Sequence, residues 1–138
     1  MIDSHTIRVN TRGHCDIINI TPQIEGILSK SKIEDGLVNL FVSGSTASIS
    51  TIEYEPNLVR DVEEALEKIA PEDKKYHHRE TWHDDNGFSH VRATLMKPGI
   101  TIPFRDKKPL LGTWQQVVLL DFDNRSRERE ITVTIMGD

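Results

Sequence analysis

The densest reactive chemistry in the chain lies between Tyr76 and Arg92, where His77, His78, His83 and His90 accompany Asp84, Asp85 and Asn86. Imidazole and carboxylate groups bind divalent cations and move protons near neutral pH, and Gly87 lets the backbone turn tightly among them. The alternation of Val91, Ala93 and Leu95 predicts a strand over Ser89 to Met96, with His90, Arg92 and Thr94 on its other face. On that reading His90 and Arg92 point together toward a polar site, whereas His77 is a solvated loop residue.

Three further groups could join them. Gln115, in the run Leu110-Leu111-Gly112-Thr113-Trp114-Gln115-Gln116, could meet a ligand or satisfy neighbouring backbone, and Trp114 reads as core or as a ligand platform. The small-residue turn Ser43-Gly44-Ser45-Thr46 can expose backbone N–H groups to an anion, but it has no Walker lysine. Glu53 follows it near the end of a strand. Arg92, Arg105, Arg125, Arg127 and Arg129 carry planar guanidinium groups suited to phosphate.

The candidate site combines these residues. His78 and His90 are metal ligands or acid–base groups, and Asp84, Asp85 or Glu53 completes a divalent-cation site, with Mg²⁺, Zn²⁺ and Mn²⁺ left open. Arg92 and Arg125 or Arg127 hold phosphate, Ser45 and Thr46 line the anion turn, and Asn86, Gln115 and Trp114 orient the rest of the substrate.

These residues need a scaffold. Thr21-Pro22 supplies a cap and a first-turn proline for a helix carrying Ile24, Ile27 and Leu28 on one face. Pro56 opens a second helix, with Leu58, Val62, Ala65, Leu66 and Ile69 on its apolar stripe and Pro71 beyond its end. Thr6 to Asn10 and His14 to Ile20 read as a hairpin turning at Gly13. Leu37 to Val42, Ala47 to Ile52, Gly99 to Phe104, Thr113 to Phe122 and Glu130 to Met136 have strand length and composition. Both faces of Thr113 to Phe122 are largely apolar, which predicts a central strand. Short links among the later strands favour antiparallel pairing. The fold class is α+β, one domain over residues 1–138, with a mainly antiparallel β core, sandwich- or barrel-like, and two main helices.

Composition narrows the function classes. The chain has 138 residues, 36% of them hydrophobic and 28% charged, which excludes global disorder and suits one core. A net charge of -5 argues against binding the phosphate backbone of nucleic acid. Residues 70–138 hold a balanced set of charges, whereas the acids outnumber the bases before them, so an anion site belongs in the second half. No apolar run reaches the roughly 18 residues of a bilayer span, and the N-terminal residues do not read as a signal peptide. A cytoplasmic location is expected, with no membrane partner. Cys15, the single cysteine, can form neither an intrachain disulfide nor a thiolate zinc site alone.

Tyr76-x-His78, the run Trp82-His83-Asp84-Asp85-Asn86-Gly87-Phe88-Ser89-His90-Val91-Arg92-Ala93, Leu-Gly-Thr-Trp-Gln-Gln and Asp121-Phe122-Asp123-x-Arg125-x-Arg127 together resemble the YjbQ family, often called secondary thiamine-phosphate synthase. Phe41-Val42-x-Gly44-Ser45-Thr46-Ala47, Glu53 and Asp61 extend the resemblance over most of the chain. The resemblance implies a compact α+β unit, a homotrimer, and a pocket of shared polar residues near a subunit interface. It also implies an activity that joins hydroxymethylpyrimidine diphosphate to a thiazole phosphate and releases pyrophosphate, with Mg²⁺ neutralising the departing diphosphate. Many members carry histidine where this sequence has Gly44, so no role of that imidazole transfers.

Two rival functions use the same residues. One is a metal-dependent hydrolase of a small phosphate ester or amide; the other is a non-enzymatic protein that binds a small anion. All three take a small phosphorylated or anionic metabolite as partner.

Overall fold

In a computed structural model describing residues 1–138, the elements follow the order β1 (Ile2–Thr11), β2 (Asp16–Asn19), α1 (Thr21–Lys30), β3 (Gly36–Val42), β4 (Ala47–Glu53), α2 (Pro56–Ile69), α3 (Arg79–Trp82), α4 (Gly87–Met96), β5 (Gly99–Arg105), β6 (Lys108–Pro109), β7 (Gln115–Asp121) and β8 (Arg127–Gly137). The strands form two sheets of order β1-β8-β3-β5-β6 and β2-β7-β4, and every pairing is antiparallel. The α+β class and the antiparallel β core are as the sequence led us to expect.

Three layers result, because β7 is apolar on both faces. Its Val117 and Leu119 face the larger sheet, where they join Val38, Leu40, Ile131 and Val133, and α1 closes this core with Ile24 and Leu28. Its Val118 and Leu120 face the other way and pack with Ile17, Leu66 of α2 and Ala93 of α4. The small sheet is therefore sandwiched between the large sheet and two helices, and β7 is its central strand.

The helix starts follow the local chemistry. The Glu55 carboxylate accepts hydrogen bonds from Asn57 N and Leu58 N, capping α2 ahead of Pro56. Thr21 does not cap α1. It lies inside the helix and its hydroxyl accepts from Val117 N at 2.8 Å, which staples α1 to β7.

Two expectations need correction. Ser89 to Met96 lies in a helix, not a strand. Phe88, Ser89, Arg92 and Ala93 are buried and Met96 is partly so, a spacing of i, i+1, i+4, i+5 and i+8 that one face of a helix produces. The first two strands also form no hairpin. Gly13, His14 and Cys15 all have positive φ, and this turn sends β1 to pair with β8 while β2 pairs with β7 in the other sheet.

Candidate functional site

One end of the two-sheet sandwich is closed by charge. Arg127 and Arg129 share the face of β8 that carries Ile131, Val133 and Ile135, so their side chains point inward. Asp121 and Asp123 meet them there, both fully buried. Arg129 Nε donates to Asp121 Oδ2 at 2.8 Å and Nη2 donates to Oδ1 at 2.9 Å, a two-point pair in which the Thr11 hydroxyl also donates to Asp121 at 2.6 Å.

Asp123 ties together the segments around this end. It accepts from the Thr46 hydroxyl at 3.2 Å, from Arg127 Nε at 2.8 Å and from Asn86 Nδ2 at 3.3 Å. Burial pushes its carboxyl up, but hydrogen bonds from Asn124, Arg127 and Asn86 outweigh that and hold it below the usual aspartate value. Asn86 stands between two acids. With its amide turned over, the NH₂ group would instead donate to Asp84 at 3.0 Å, so one amide cannot serve both carboxylates.

A hollow of about 360 Å³ opens over this hub, between the β3–β4 turn, the segment around α3, and α4. His78 and His90 line it with ring centroids 4.5 Å apart and planes tilted by 39°. Their approach depends on Gly87, where a Cβ would lie 2.5 Å from Tyr76 Cβ, so only glycine lets the loop bearing Tyr76 and His78 close against α4. His78 Nδ1 is buried and lies 3.3 Å from Asp84 Oδ1, but at an angle that makes no hydrogen bond, which leaves the nitrogen without a partner. Burial lowers the pKa of His90, and the neighbouring His78 lowers it further, against opposing effects of Asp84, Asp123 and the Ser45 backbone.

The other walls are Gly44, Ser45, Thr46, the exposed Trp82, and the two arginines. Thr46 is occupied structurally, since its hydroxyl also accepts from Arg129 Nη2 at 2.6 Å. The Ser45 hydroxyl makes no hydrogen bond within the chain. Gly44 has φ +108, and an added Cβ would sit 3.0 Å from Arg129 Nη1. A side chain at this position therefore requires a different path for the turn.

The hollow thus gathers His78, His90, Asp84, Asn86, Arg127, Ser45 and Thr46. The structure places the remaining candidates elsewhere. Arg92 is buried under α4, donating to Ala70 O at 3.0 Å and to Glu67 at 2.7 Å with its guanidinium over Phe88. On a helix, positions 90 and 92 diverge by about 200°, so His90 and Arg92 cannot point together. Asp85 is exposed and pairs with Arg79 at 3.3 Å. Arg125 is exposed and lines no part of the hollow. Glu53 and Gln115 are opposite each other in the β4–β7 register, at the far end of those strands from the pair Ala47 and Asp121. Gln115 there donates to Thr51, and Trp114 beside it is 74% exposed.

Sequence reasoning names Arg129 among the arginines suited to phosphate and Trp82, Asp121 and Asp123 within the quoted motifs, but it gives none of the four a place in the candidate site. The arginines carried a readable signal: they continue the inward alternation of Ile131, Val133 and Ile135, where solvated charges do not belong. As a metal centre the site is incomplete, because no three His, Cys, Asp or Glu side chains converge closely enough to hold a cation. A second hollow of about 390 Å³ between β2 and α2 includes Cys15, but burial and then the charge of Glu63 push that thiol up to about 12, too high for a thiolate at neutral pH.

Residues 5–138 match the family model described as UPF0047 protein YjbQ-like. A UPF0047 protein of Methanocaldococcus jannaschii is 34% identical over 139 residues, covering 100% of this chain and 96% of that one. Another, from Methanothermobacter thermautotrophicus, is 35% identical over 94% of this chain and 88% of its own length. The crystal structure of a YbjQ-like protein of unknown function from Sulfolobus solfataricus superposes with a TM-score of 0.90 at 30% identity, covering 100% of both chains. With sequence, fold and the motifs around the hollow in agreement, the chain belongs to the YjbQ (UPF0047) family.

Proposed function

We propose that the hollow binds a small phosphorylated metabolite and that His90, with His78 beside it, supplies the proton that the bound phosphate or a departing diphosphate takes up. The observation that carries this reading is the imidazole pair at 4.5 Å next to Arg127 and Arg129. The charges explain why the histidines matter. Asp121 and Asp123 already neutralise the two guanidinium groups, and Asp84 adds a further negative charge, so extra positive charge for an anion must come from protonated imidazole. Two adjacent rings resist double protonation in the free protein, and an anion between them relieves that repulsion.

In the thiamine-phosphate synthase form of this proposal, the thiazole nitrogen attacks the pyrimidine methylene carbon. The C–N bond forms, the C–O bond to diphosphate breaks, and pyrophosphate leaves with the bonding electrons. Arg127 and a protonated His90 stabilise the charge that develops on it. A divalent cation would take its donors from His78, His90 and Asp84, but their present arrangement does not make a metal site, and no step is routed through one. The homotrimer belongs to the same proposal and rests on the family resemblance. Within a trimer, Trp114, Gln115 and Glu53 could serve a neighbouring subunit's hollow, since they lie too far from their own.

The test is turnover. Pyrophosphate released only when hydroxymethylpyrimidine diphosphate and the thiazole phosphate are both present, and lost in a folded His90→Ala protein, is the expected result. Phosphate released from a single ester would instead establish the hydrolase, and saturable binding without turnover would establish a binding protein. Unchanged turnover in His90→Ala would remove His90 from the mechanism.

A further inference from the structure

The hollow of about 390 Å³ beneath α2 shares no lining residue with the imidazole site. Leu66 is the only buried residue of α2. Nearer the helix start, Val59 is half-buried, and with Pro56, Arg60 and Glu63 it covers the space above β2. Cys15, Asp16 and Ile17 form the opposite wall, and Tyr54 closes one side with its hydroxyl donating to Ile17 O at 3.0 Å.

The charges around this space are incompletely paired. The Asp16 side chain is only 10% exposed, and both of its hydrogen bonds come from Arg12, whose own side chain is 89% exposed. A buried carboxylate with lone pairs to spare calls for a further donor. Glu63 converges on the same wall. Burial is the largest cause of the raised Cys15 pKa, Glu63 is the next, and Asp16 adds to it against the opposing charge of Arg92. Arg60 lies one turn from Glu63 on α2, yet neither side chain forms an ion pair or a hydrogen bond.

We infer that this hollow binds a free α-amino acid with an aliphatic side chain the size of leucine's. Its ammonium group lies between Asp16 and Glu63, its carboxylate on Arg60, and its side chain against Ile17 and Val59. The charge pattern disfavours simpler ligands: a plain amine leaves Arg60 unpaired, and a plain carboxylate meets two acids. An amino acid carries both charges on one carbon, which suits side chains at i and i+3 of a helix, about 5–6 Å apart at their Cβ atoms. The volume falls at the small end of the range of about 300–1,000 Å³ for ligand sites, which suits a single amino acid better than a peptide. The inference is independent of the phosphate proposed for the imidazole hollow.

L-Leucine, isoamylamine and 4-methylpentanoate share one aliphatic chain and differ in which charged groups they carry. Titrated into the protein near neutral pH at millimolar concentration and followed by the NMR signals of the Ile17 and Val59 methyl groups, leucine should bind saturably and each of the other two about tenfold more weakly. Arg60→Gln should bring leucine down to the affinity of isoamylamine and leave isoamylamine unchanged. Glu63→Gln should weaken leucine and isoamylamine without weakening 4-methylpentanoate. Neither substitution removes a contact that holds the fold, because neither side chain has a polar partner. Absence of saturable leucine binding at these methyl groups would overturn the inference, as would equal affinity of leucine and isoamylamine for the wild type. An Arg60→Gln protein that keeps the full preference for leucine would overturn it too, whatever phosphate does at the imidazoles.

Discussion

His90 has a lowered pKa because burial disfavours its charged form and the adjacent His78 imidazole adds to this, and two measurable consequences follow. The first concerns stability. In the native state His90 resists the proton that the unfolded chain accepts near 6.5, so its contribution is fully present above that pH and is lost as pH falls through its lowered native value. His90→Gln removes this dependence, and its urea-unfolding free energy should be flatter between pH 7 and 5 than that of the wild type. The second concerns ligands. Sulfate keeps its charge over this range, so its affinity should rise as pH falls below about 6.5 in the wild type, by tenfold or more, and stay level in His90→Gln. A wild-type sulfate affinity independent of pH would show that the imidazoles carry none of the anion's charge. Asp123 acts in the same direction at lower pH, its contribution being lost as pH falls below 3.8 through its lowered native value.

Among the elements, α4 and β8 decide what the site contains, and they differ in how openly their sequences declare it. The strand β8 is legible: Ile131, Val133 and Ile135 alternate with threonines, and the register extends back to Arg127 and Arg129. What pattern alone did not supply was the partner, because Asp121 and Asp123 reach these arginines only after the chain has crossed from one sheet to the other. The helix α4 misleads because Val91, Ala93 and Leu95 fit the period of two of a strand, whereas in the helix Ala93 is buried and Val91 and Leu95 are exposed on another side. Its true buried face includes Ser89 and Arg92, polar residues whose partners lie on α2 and the turn before the helix. The expected consequences for two arginines are opposite. Arg92→Ala removes hydrogen bonds to Ala70 and Glu67 and should lower stability by about 2–3 kcal/mol with no change in anion affinity. Arg129→Ala leaves Asp121 buried without its counter-charge and should cost about 3–5 kcal/mol, together with loss of anion binding. Denaturant titration beside calorimetric anion titration separates them; weaker binding in a folded Arg92→Ala protein would return Arg92 to the site.

At the scale of the whole molecule, the three-layer arrangement explains why the candidate residues divide into two groups. The antiparallel strands β4 and β7 each run the length of the small sheet, so Ala47 and Asp121 meet at the hub while Glu53 and Gln115 meet at the opposite end. Residue type and the family resemblance bring all of them into one expected site, and the register separates them by six residues of extended strand. A homotrimer could restore the connection between chains, and sedimentation equilibrium should then report three times the 15.8 kDa chain mass. In that case Trp114→Ala would weaken assembly or ester binding without lowering the stability of the isolated fold, since Trp114 is 74% exposed. A monomer at all concentrations would leave Trp114, Gln115 and Glu53 outside the site altogether.

The claim on which the rest turns is that the paired imidazoles receive an anion. The direct measurement is the ring-proton titration of His78 and His90 by NMR, with and without saturating inorganic phosphate. The account predicts a His90 pKa below the ordinary 6.5 in the free protein and raised above its free value when phosphate is bound, with both ring signals shifting along one binding curve. Ring signals that ignore phosphate, or a His90 pKa that stays where it was while phosphate binds elsewhere, would contradict it.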